Sequence, residues 1–487
     1  MGIEILRTDF DDRDHVRFAE RLRTSLVALE HLLARDQFGV GPATIGAELE
    51  LALIDGAARP ALVNTAVLGE SSDPRLALEI DRFNLEINAE PSPLAGRPFA
   101  ALAANLESAL AEVRRAAANH GARALAIGIL PTIVETDLTP DVITPRNRYI
   151  ALSHALRRLR RGPFHMHIEG ADVLDVSADD VVFEGANTSF QLHLRTSPAE
   201  FARAYNASQI ASGIALAVAG NAPTFLGRRL WDETRIALFR QSVDDRLDAL
   251  DDDWRPARVT FGHGWARHSA HELFAEVVAL HEALLPICTE EDPIHALADG
   301  GVPSLAELRL HNGTVWPWNR GIFDPVGGGH LRIELRALPA GPSVVDMAAN
   351  AAFLLGLVLG LAPDVDRLIA GFTFTHARRN FYEAARRGLA STLLWPAEPG
   401  RRAEPILAPA LIDRLLPVAA RGLRDHGVDS RDSDHLLGVI ADRARTGQTG
   451  AAFQRALLAT SRDPARVVEE YLARQLDGAP VHTWSQT

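Results

Sequence analysis

The sequence predicts an α+β fold built on an antiparallel sheet, and three observations lead to that prediction. Short segments with alternating apolar and polar residues, typical of half-buried strands, lie between longer segments with apolar residues at helical spacing. The two kinds of segment do not follow the regular strand–helix rhythm of a doubly wound parallel sheet. From about residue 364 onward the strand patterns disappear and Arg, Leu and Ala dominate, which predicts a helical C-terminal subdomain.

The individual elements follow from these periodicities. Helical spacing predicts helices at 13–35, 98–119 (ended by Gly121), 147–161, 199–219 and 267–285. Alternation predicts strands at 45–54, 84–89, 123–130, 164–169, 187–195 and 330–338. The most apolar stretch, residues 344–362, contains Asp346 and Asn350, and the uninterrupted run after them is shorter than the ~20 residues of a membrane span. We therefore expect a buried core helix there and no membrane association.

The composition limits the class of protein. With 50 Lys+Arg against 63 Asp+Glu, the 487 residues have a formal net charge of −13, whereas nucleic-acid binding needs a basic face. Cys288 is the only cysteine, so no intramolecular disulfide can form. Together with the absence of a secretory signal at the N-terminus, this predicts a cytoplasmic protein. The sequence leaves the oligomeric state open, with a homo-oligomer among the options.

Four of the predicted strands carry an unusual polar face. In residues 45–54, Glu48 and Glu50 point to the same side because alternate residues of a strand share a face. Taken singly, each such strand is most simply a half-solvated strand of an antiparallel sheet. The four polar faces nevertheless contain no Lys and concentrate Glu, His, Gln, Asn and Arg. The other three faces comprise Glu86 and Asn88; Ser189, Gln191, His193 and Arg195; and His330, Arg332, Glu334 and Arg336.

These residue types together indicate a particular chemistry. Carboxylates that face one cavity repel and raise each other's pKa unless cations lie between them. Carboxylate oxygens with one imidazole or amide oxygen suit Mg²⁺ or Mn²⁺, and neighbouring arginines suit phosphate or carboxylate. The combination predicts nucleotide phosphoryl transfer. The sequence has no GxxxxGK[ST], GxSxG or HExxH motif, and the pair His165 and His167 is more often ordinary than metal-binding.

The ordered set of these segments resembles the bacterial glutamate–cysteine ligase and carboxylate–amine ligase family of the glutamine-synthetase-like superfamily. The resemblance spans roughly residues 43–455. It implies a curved antiparallel sheet with a polar funnel on its concave side and helices on its outer face. It also implies a catalytic domain at 1–363 and a helical subdomain at 364–487. The matching segments are the Glu48-x-Glu50 strand, LEIDRFNLEIN, NTSFQLHLR, RIELRALPAGP, WDETRIALFRQSVDDR, HNGTVWPWNR, HARRNFYEAARRGL and TGQTGAAFQ.

The family chemistry that the resemblance implies is phosphorylation of the glutamate γ-carboxyl by ATP, followed by attack of an amine. The expected cofactors are ATP with Mg²⁺ or Mn²⁺, and the expected amine is cysteine. Two alternatives stay open: the same chemistry with another amine or amino acid, and a binding protein for ATP or glutamate without catalysis.

The resemblance also implies roles for individual residues. Glu48 and Glu50 would hold two neighbouring metal ions, with Glu79 and Glu86 completing one site. Glu334 would complete the other site, at the ATP phosphates, with either Gln191 or His193; the sequence does not decide between these two. The remaining roles are Arg336 at the transferring phosphoryl group and Arg235 and Arg320 at the amino-acid carboxylates. Trp316 and Trp318 would form a wall over the site or would be ordinary buried aromatic residues, and the sequence leaves both alternatives open.

Overall fold

A curled antiparallel half-barrel sheet lies at the centre of the computed structural model, which describes residues 5–246 and 255–485. The predicted α+β class with a curved antiparallel sheet is therefore confirmed. The described strands, β1 to β15 in chain order, are Thr44–Ile54, Leu76–Leu78, Asn84–Pro93, Arg123–Leu125, Phe164–Glu169, Val173–Ala178, Phe190–Thr196, Thr224–Phe225, Arg228–Arg229, Val259–Thr260, Trp316–Pro317, Asn319–Asp324, His330–Leu335, Thr392–Pro396 and Ala403–Leu407.

The helices surround this sheet. Those at 98–119, 147–161 and 199–219 form close to their predicted limits, whereas the predicted helix at 267–285 is confined to His271–Leu280. The described α-helices, α1 to α17, are Asp12–Leu33, Asn64–Gly69, Pro98–Asn119, Asn147–Arg160, Val182–Gly185, Phe201–Ala219, Arg235–Ser242, His271–Leu280, Pro293–Ala298, Ala306–Asn312, Val344–Leu361, Val365–Ile369, Phe374–Arg387, Ala408–Asp425, Ser430–Thr446, Gly450–Ser461 and Pro464–Asp477.

The main sheet has the strand order β12–β13–β7–β1–β3–β2, and β4 pairs with the end of β1. All of these pairings are antiparallel. The register places Glu48 between Asn88 and Gln191, and it places Glu50 opposite Glu86. Because directly paired residues project to the same side of a sheet, the polar residues of neighbouring strands share the concave face.

The opposite face of the sheet is apolar and buried. Leu49, Leu51 and Ile87 are completely buried there, as strict alternation requires. Helices α3, α6 and α11 pack against strands of this sheet. The stretch Val344–Ile369 is long and apolar enough to cross a membrane, but 83% of its most apolar window is buried inside the protein. The prediction of a core helix at 344–362 is thus confirmed.

The C-terminal segment differs from its prediction in one respect. It is mostly helical, but β14 and β15 form a hairpin that the sequence pattern did not predict. The segment packs closely on the rest of the protein: a Cβ atom on Gly422 of α14 would lie 2.4 Å from the Gly356 carbonyl oxygen of α11. A buried ion pair, 2.7 Å between Arg443 and Asp346, joins the same two parts. The division at residues 363 and 364 stays a prediction.

Candidate active site

The concave face of the sheet forms the floor of a cavity of about 490 Å³. The floor is made of residues that alternate with the buried apolar ones, so strand periodicity alone brings their side chains together. Helices α4, α5 and α10 contribute further walls. The sequence-predicted residues in the lining are Glu48, Glu50, Glu79, Glu86, Gln191, His193, Trp316, Arg320, Glu334 and Arg336.

One carboxylate cluster consists of Glu50, Glu79 and Glu86, each of which offers an oxygen within 4.8 Å of the others. The pKa of Glu86 is raised to about 7, chiefly by burial and also by the nearby Glu48 and Glu50. Burial, Glu86 and Glu50 raise the pKa of Glu79 well above its usual range. Metal–oxygen distances of about 2.1 to 2.5 Å allow one divalent cation to contact three oxygens at this spacing. The cluster therefore fits a hard cation that would offset the repulsion.

A second cluster consists of Glu48, His193 and Glu334, whose ligand atoms also lie within 4.8 Å of one another. His193 Nε2 lies 3.1 Å from Glu48 Oε1 and 4.0 Å from Glu334 Oε1. Burial would raise the pKa of Glu48, but the adjacent His193 more than offsets that effect and leaves it lowered. Two carboxylates and one imidazole suit Mg²⁺ or Mn²⁺.

Two arginines hold the carboxylate of Glu334. Arg320 makes a bidentate pair with it, with Nε 2.7 Å from Oε2 and Nη2 3.1 Å from Oε1. Arg336 Nη1 donates to Oε2 over 3.1 Å. Burial would raise the pKa of Glu334, but Arg320 and Arg336 hold it well below its usual range. Glu334 is therefore ionised, which a metal ligand requires.

Gln191 connects the two clusters through hydrogen bonds. Its Nε2 donates to Glu50 Oε1 over 3.0 Å, and its Oε1 accepts from Arg336 Nη1 over 2.6 Å. His193 differs, because its Nε2 faces two carboxylates. The geometry favours His193 over Gln191 as the ligand of the second cluster.

Two of the predicted residues do not reach the cavity lining. Arg235 is buried beneath it, where its Nη1 lies 2.9 Å from Glu233 Oε1 and donates to the Ala337 carbonyl. Trp318 is only 1% exposed and packs against the aromatic rings of Phe239 and Phe381. Trp316 does line the cavity, so it alone of the two tryptophans is in place to form a wall.

The structure also adds residues that sequence reasoning missed. Glu184, on the short helix α5, lines the cavity close enough to Glu50 and Arg336 to interact electrostatically. Its only sequence signal is a charged residue within the apolar stretch VVFEGA. Arg148 and Arg309 also line the cavity, from α4 and α10. His165 and His167 lie elsewhere, on the exposed face of β5, where both contact Asp175.

Comparisons with known proteins confirm the family resemblance found in the sequence. The family model described as glutamate-cysteine ligase family 2 matches residues 44–477, which is most of the chain. No curated protein sequence matches significantly.

Two solved structures show a similar fold. The first is a glutamate–cysteine ligase from Francisella tularensis in complex with AMP, with a TM-score of 0.54, 10% identity, and coverage of 92% of this chain and 91% of that one. The second is a bifunctional glutathione synthetase from Pasteurella multocida, with a TM-score of 0.51, 9% identity, and coverage of 95% of this chain and 54% of that one.

Proposed function

Because the chain belongs to glutamate–cysteine ligase family 2, and so is a carbon–nitrogen ligase, we propose that it joins the γ-carboxyl of glutamate to the amino group of cysteine, using ATP and Mg²⁺. The observation that carries this proposal is the pair of ligand clusters side by side on one concave face. The guanidinium groups of Arg320 and Arg336 lie beside Glu334 of the second cluster and complete a site suited to phosphate.

Each cluster has a proposed role. Glu50, Glu79 and Glu86 would hold one Mg²⁺, and Glu48, His193 and Glu334 would hold another at the ATP phosphates. Bound there, the ions would neutralise phosphate charge and orient the transferring group. The Francisella tularensis enzyme was crystallised with AMP, which supports nucleotide binding by this chain.

The residues of the chain position the reactants around these clusters. Arg320 fixes the carboxylate of Glu334 through its bidentate pair. Arg336 would donate to the phosphoryl group as it passes from ATP to a γ-carboxylate oxygen of glutamate, with ADP leaving. The amine nitrogen then forms a bond to the carbonyl carbon of the acyl phosphate, the bond between that carbon and the phosphate oxygen breaks, and phosphate leaves with the electron pair. The nitrogen loses its extra protons, and an amide remains.

The surroundings of the reaction fit small-molecule substrates. A cavity of about 490 Å³ has the size of a small-ligand site. We place the enzyme in the cytoplasm, where its single cysteine would stay reduced.

A coupled assay of ADP release with glutamate and a panel of amines tests the proposal, with mass spectrometry of the product. We expect ADP release that requires both glutamate and cysteine, and a product with the mass of γ-glutamylcysteine. ADP release with a different amine would support the same ligase reaction and would show that the acceptor is that amine instead of cysteine. No release with any amine, together with ATP binding in a calorimetric titration, would instead favour a binding protein without catalysis.

A further inference from the structure

Glu184 is a cavity carboxylate that neither ligand cluster uses. It lies on α5 and lines the same cavity as both clusters. Within residues 5–246 and 255–485, no side chain or backbone group forms an ion pair or a hydrogen bond with its carboxylate. Glu184 is half-buried, and a carboxylate that has lost part of its water is stabilised when a cation or a hydrogen-bond donor joins it. A ligand in the cavity that carries a cationic group would pair with the Glu184 carboxylate.

The local structure holds Glu184 in place. Asp180 Oδ1 accepts from the Val182 amide over 3.0 Å at the start of the turn. Asn187 Nδ2 donates to the Glu184 carbonyl over 2.8 Å at its end. Gly185 is pressed against Asp81, since a Cβ atom at residue 185 would lie 2.3 Å from the Asp81 carboxyl carbon. The carboxylate therefore projects from a fixed turn, as a substrate-binding group should.

The electrostatic surroundings show that Glu184 lies beside the proposed reaction centre. Its pKa is raised to about 8, chiefly by burial and also by Glu50, while Arg336 opposes the rise. Its interaction with Arg336 places it near the group that we assign to the transferring phosphoryl. Apolar side chains line the same cavity on the elements next to it, namely Leu78, Leu152 and Val181. This part of the cavity offers the carboxyl group of Glu184 beside apolar side chains, with Glu50 as an acidic neighbour.

We propose that Glu184 binds the ammonium group of the amine acceptor, and that primary amines that are cationic in solution are therefore the preferred acceptors. This inference rests on the proposed ligase function. The attacking nitrogen must come within about 3 to 3.5 Å of the carbon of the γ-carboxyl group, which in the proposed reaction lies next to Arg336. The ammonium group of glutamate itself is separated from its γ-carboxyl by the carbon chain. A carboxylate beside Arg336 consequently suits the acceptor better than glutamate.

The test compares cationic acceptors with an uncharged one. Steady-state kinetics would be measured for wild type and Glu184→Gln with cysteine, cysteamine and hydroxylamine, the last of which is largely uncharged at neutral pH. We expect KM for cysteine and cysteamine to rise on the order of 10-fold or more, because the variant loses one charged hydrogen bond to each of these acceptors. With hydroxylamine, KM and kcat should change by less than about 2-fold. Glu184→Asp, which keeps the charge, should recover part of the affinity for cysteine.

Controls separate this role from a structural one. Thermal melting must show that Glu184→Gln is folded. The control variant is Glu276→Gln, which changes a half-buried carboxylate outside both clusters. Equal losses with hydroxylamine and cysteine would overturn the inference. So would a raised KM for glutamate in the hydroxylamine reaction, or a raised Mg²⁺ requirement. A wild-type protein that releases no ADP with any acceptor would overturn the ligase proposal itself, and this inference with it.

Discussion

His193 and Glu334 lie opposite each other on neighbouring antiparallel strands, with His193 Nε2 4.0 Å from Glu334 Oε1. The same nitrogen is 3.1 Å from Glu48 Oε1 on the strand at the other side of β7. One imidazole thus lies between two carboxylates from its two flanking strands. A slip of one residue in either pairing would turn these side chains to the opposite face, so the strand register itself assembles the cluster.

A comparison of His193→Asn with Gln191→Ala tests which residue binds the metal. We expect His193→Asn to raise the Mg²⁺ concentration for half-maximal ADP release by on the order of 10-fold or more. Gln191→Ala should lower kcat without that shift, because its oxygen holds Arg336 rather than a metal. A shift in Gln191→Ala and none in His193→Asn would assign the ligand to Gln191 instead.

Glu50 is the carboxylate whose replacement should affect the metal site most directly. Glu50→Gln keeps the shape of the side chain and removes one anionic ligand, so we expect ADP release to fall by about 10²-fold or more. The melting temperature should hold or rise, because the cluster loses repulsion. The matched control is Glu90→Gln, at an exposed position of β3. Near-normal turnover of Glu50→Gln at low Mg²⁺ would contradict its assignment as a ligand.

Much of the site was predictable because strand alternation fixes which residues share a face. Glu48, Glu50, Glu86, His193 and Glu334 were found in this way. The absence of Lys from those faces did not distinguish a functional face from a solvated one, because the whole sequence contains no Lys. Tertiary packing decides which of the two sheet faces is covered by other elements. The alternation of residues along a strand does not predict this.

The predictions were weaker where no periodicity applies. Arg235 lies on a short helix and Trp318 in a connecting segment, and their depth depends on packing between distant parts of the chain. Glu184 lies on a four-residue helix, too short for a periodic pattern. The hairpin of β14 and β15 was missed because its short strands lie within a segment dominated by helical composition.

The stability of the metal-free protein should depend on pH through Glu86. Its pKa is raised from 4.5 to about 7 in the folded state, so the folded protein binds more protons than the unfolded chain between these values. Stability should therefore fall as pH rises through this window. Between about pH 5.5 and pH 8 we expect the melting temperature of metal-free protein to drop by at least about 3 °C.

Added Mg²⁺ should counter this loss. The increase in melting temperature that Mg²⁺ produces should be larger at about pH 8 than at about pH 6, because ligands bind metal in their ionised form. Glu86→Gln should flatten the pH dependence of the metal-free protein. A Mg²⁺ effect that is equal at both pH values, in wild type and variant alike, would contradict this account of the cluster.

Cys288 should be dispensable for activity. Its thiol is half-buried in the segment after α8, and burial together with Glu307 raises its pKa, so the reactive thiolate is disfavoured. We expect Cys288→Ser to keep kcat/KM within about 2-fold of wild type. ADP release and thermal melting measure the two properties separately. Lost turnover in a protein with an unchanged melting temperature would show that the thiol takes part in the reaction.

Arg336 is the residue for which a catalytic role and a structural role predict different kinetics. Its Nη1 donates to Gln191 Oε1 over 2.6 Å and to Glu334 Oε2 over 3.1 Å, so a structural ion pair is present in any case. A catalytic role requires in addition that the fork of the guanidinium neutralises charge on the transferring phosphoryl group. Fixed donors aimed at the charge that develops during the transfer stabilise the transition state more than they stabilise bound ATP.

The variant Arg336→Lys separates the two roles, since lysine keeps the charge and loses the fork. For a catalytic role we expect kcat to fall by about 10²-fold or more, with little change in the KM for ATP. For a purely structural role kcat should be nearly unchanged, and Arg336→Ala should instead lower the melting temperature. Arg332→Lys is the matched control on the same strand. Arg332 forms a 2.7 Å ion pair with Asp324 through one nitrogen, and a lysine would keep the positive charge of that pair. A normal kcat in Arg336→Lys would remove Arg336 from the phosphoryl-transfer step and leave it as the residue that fixes Glu334.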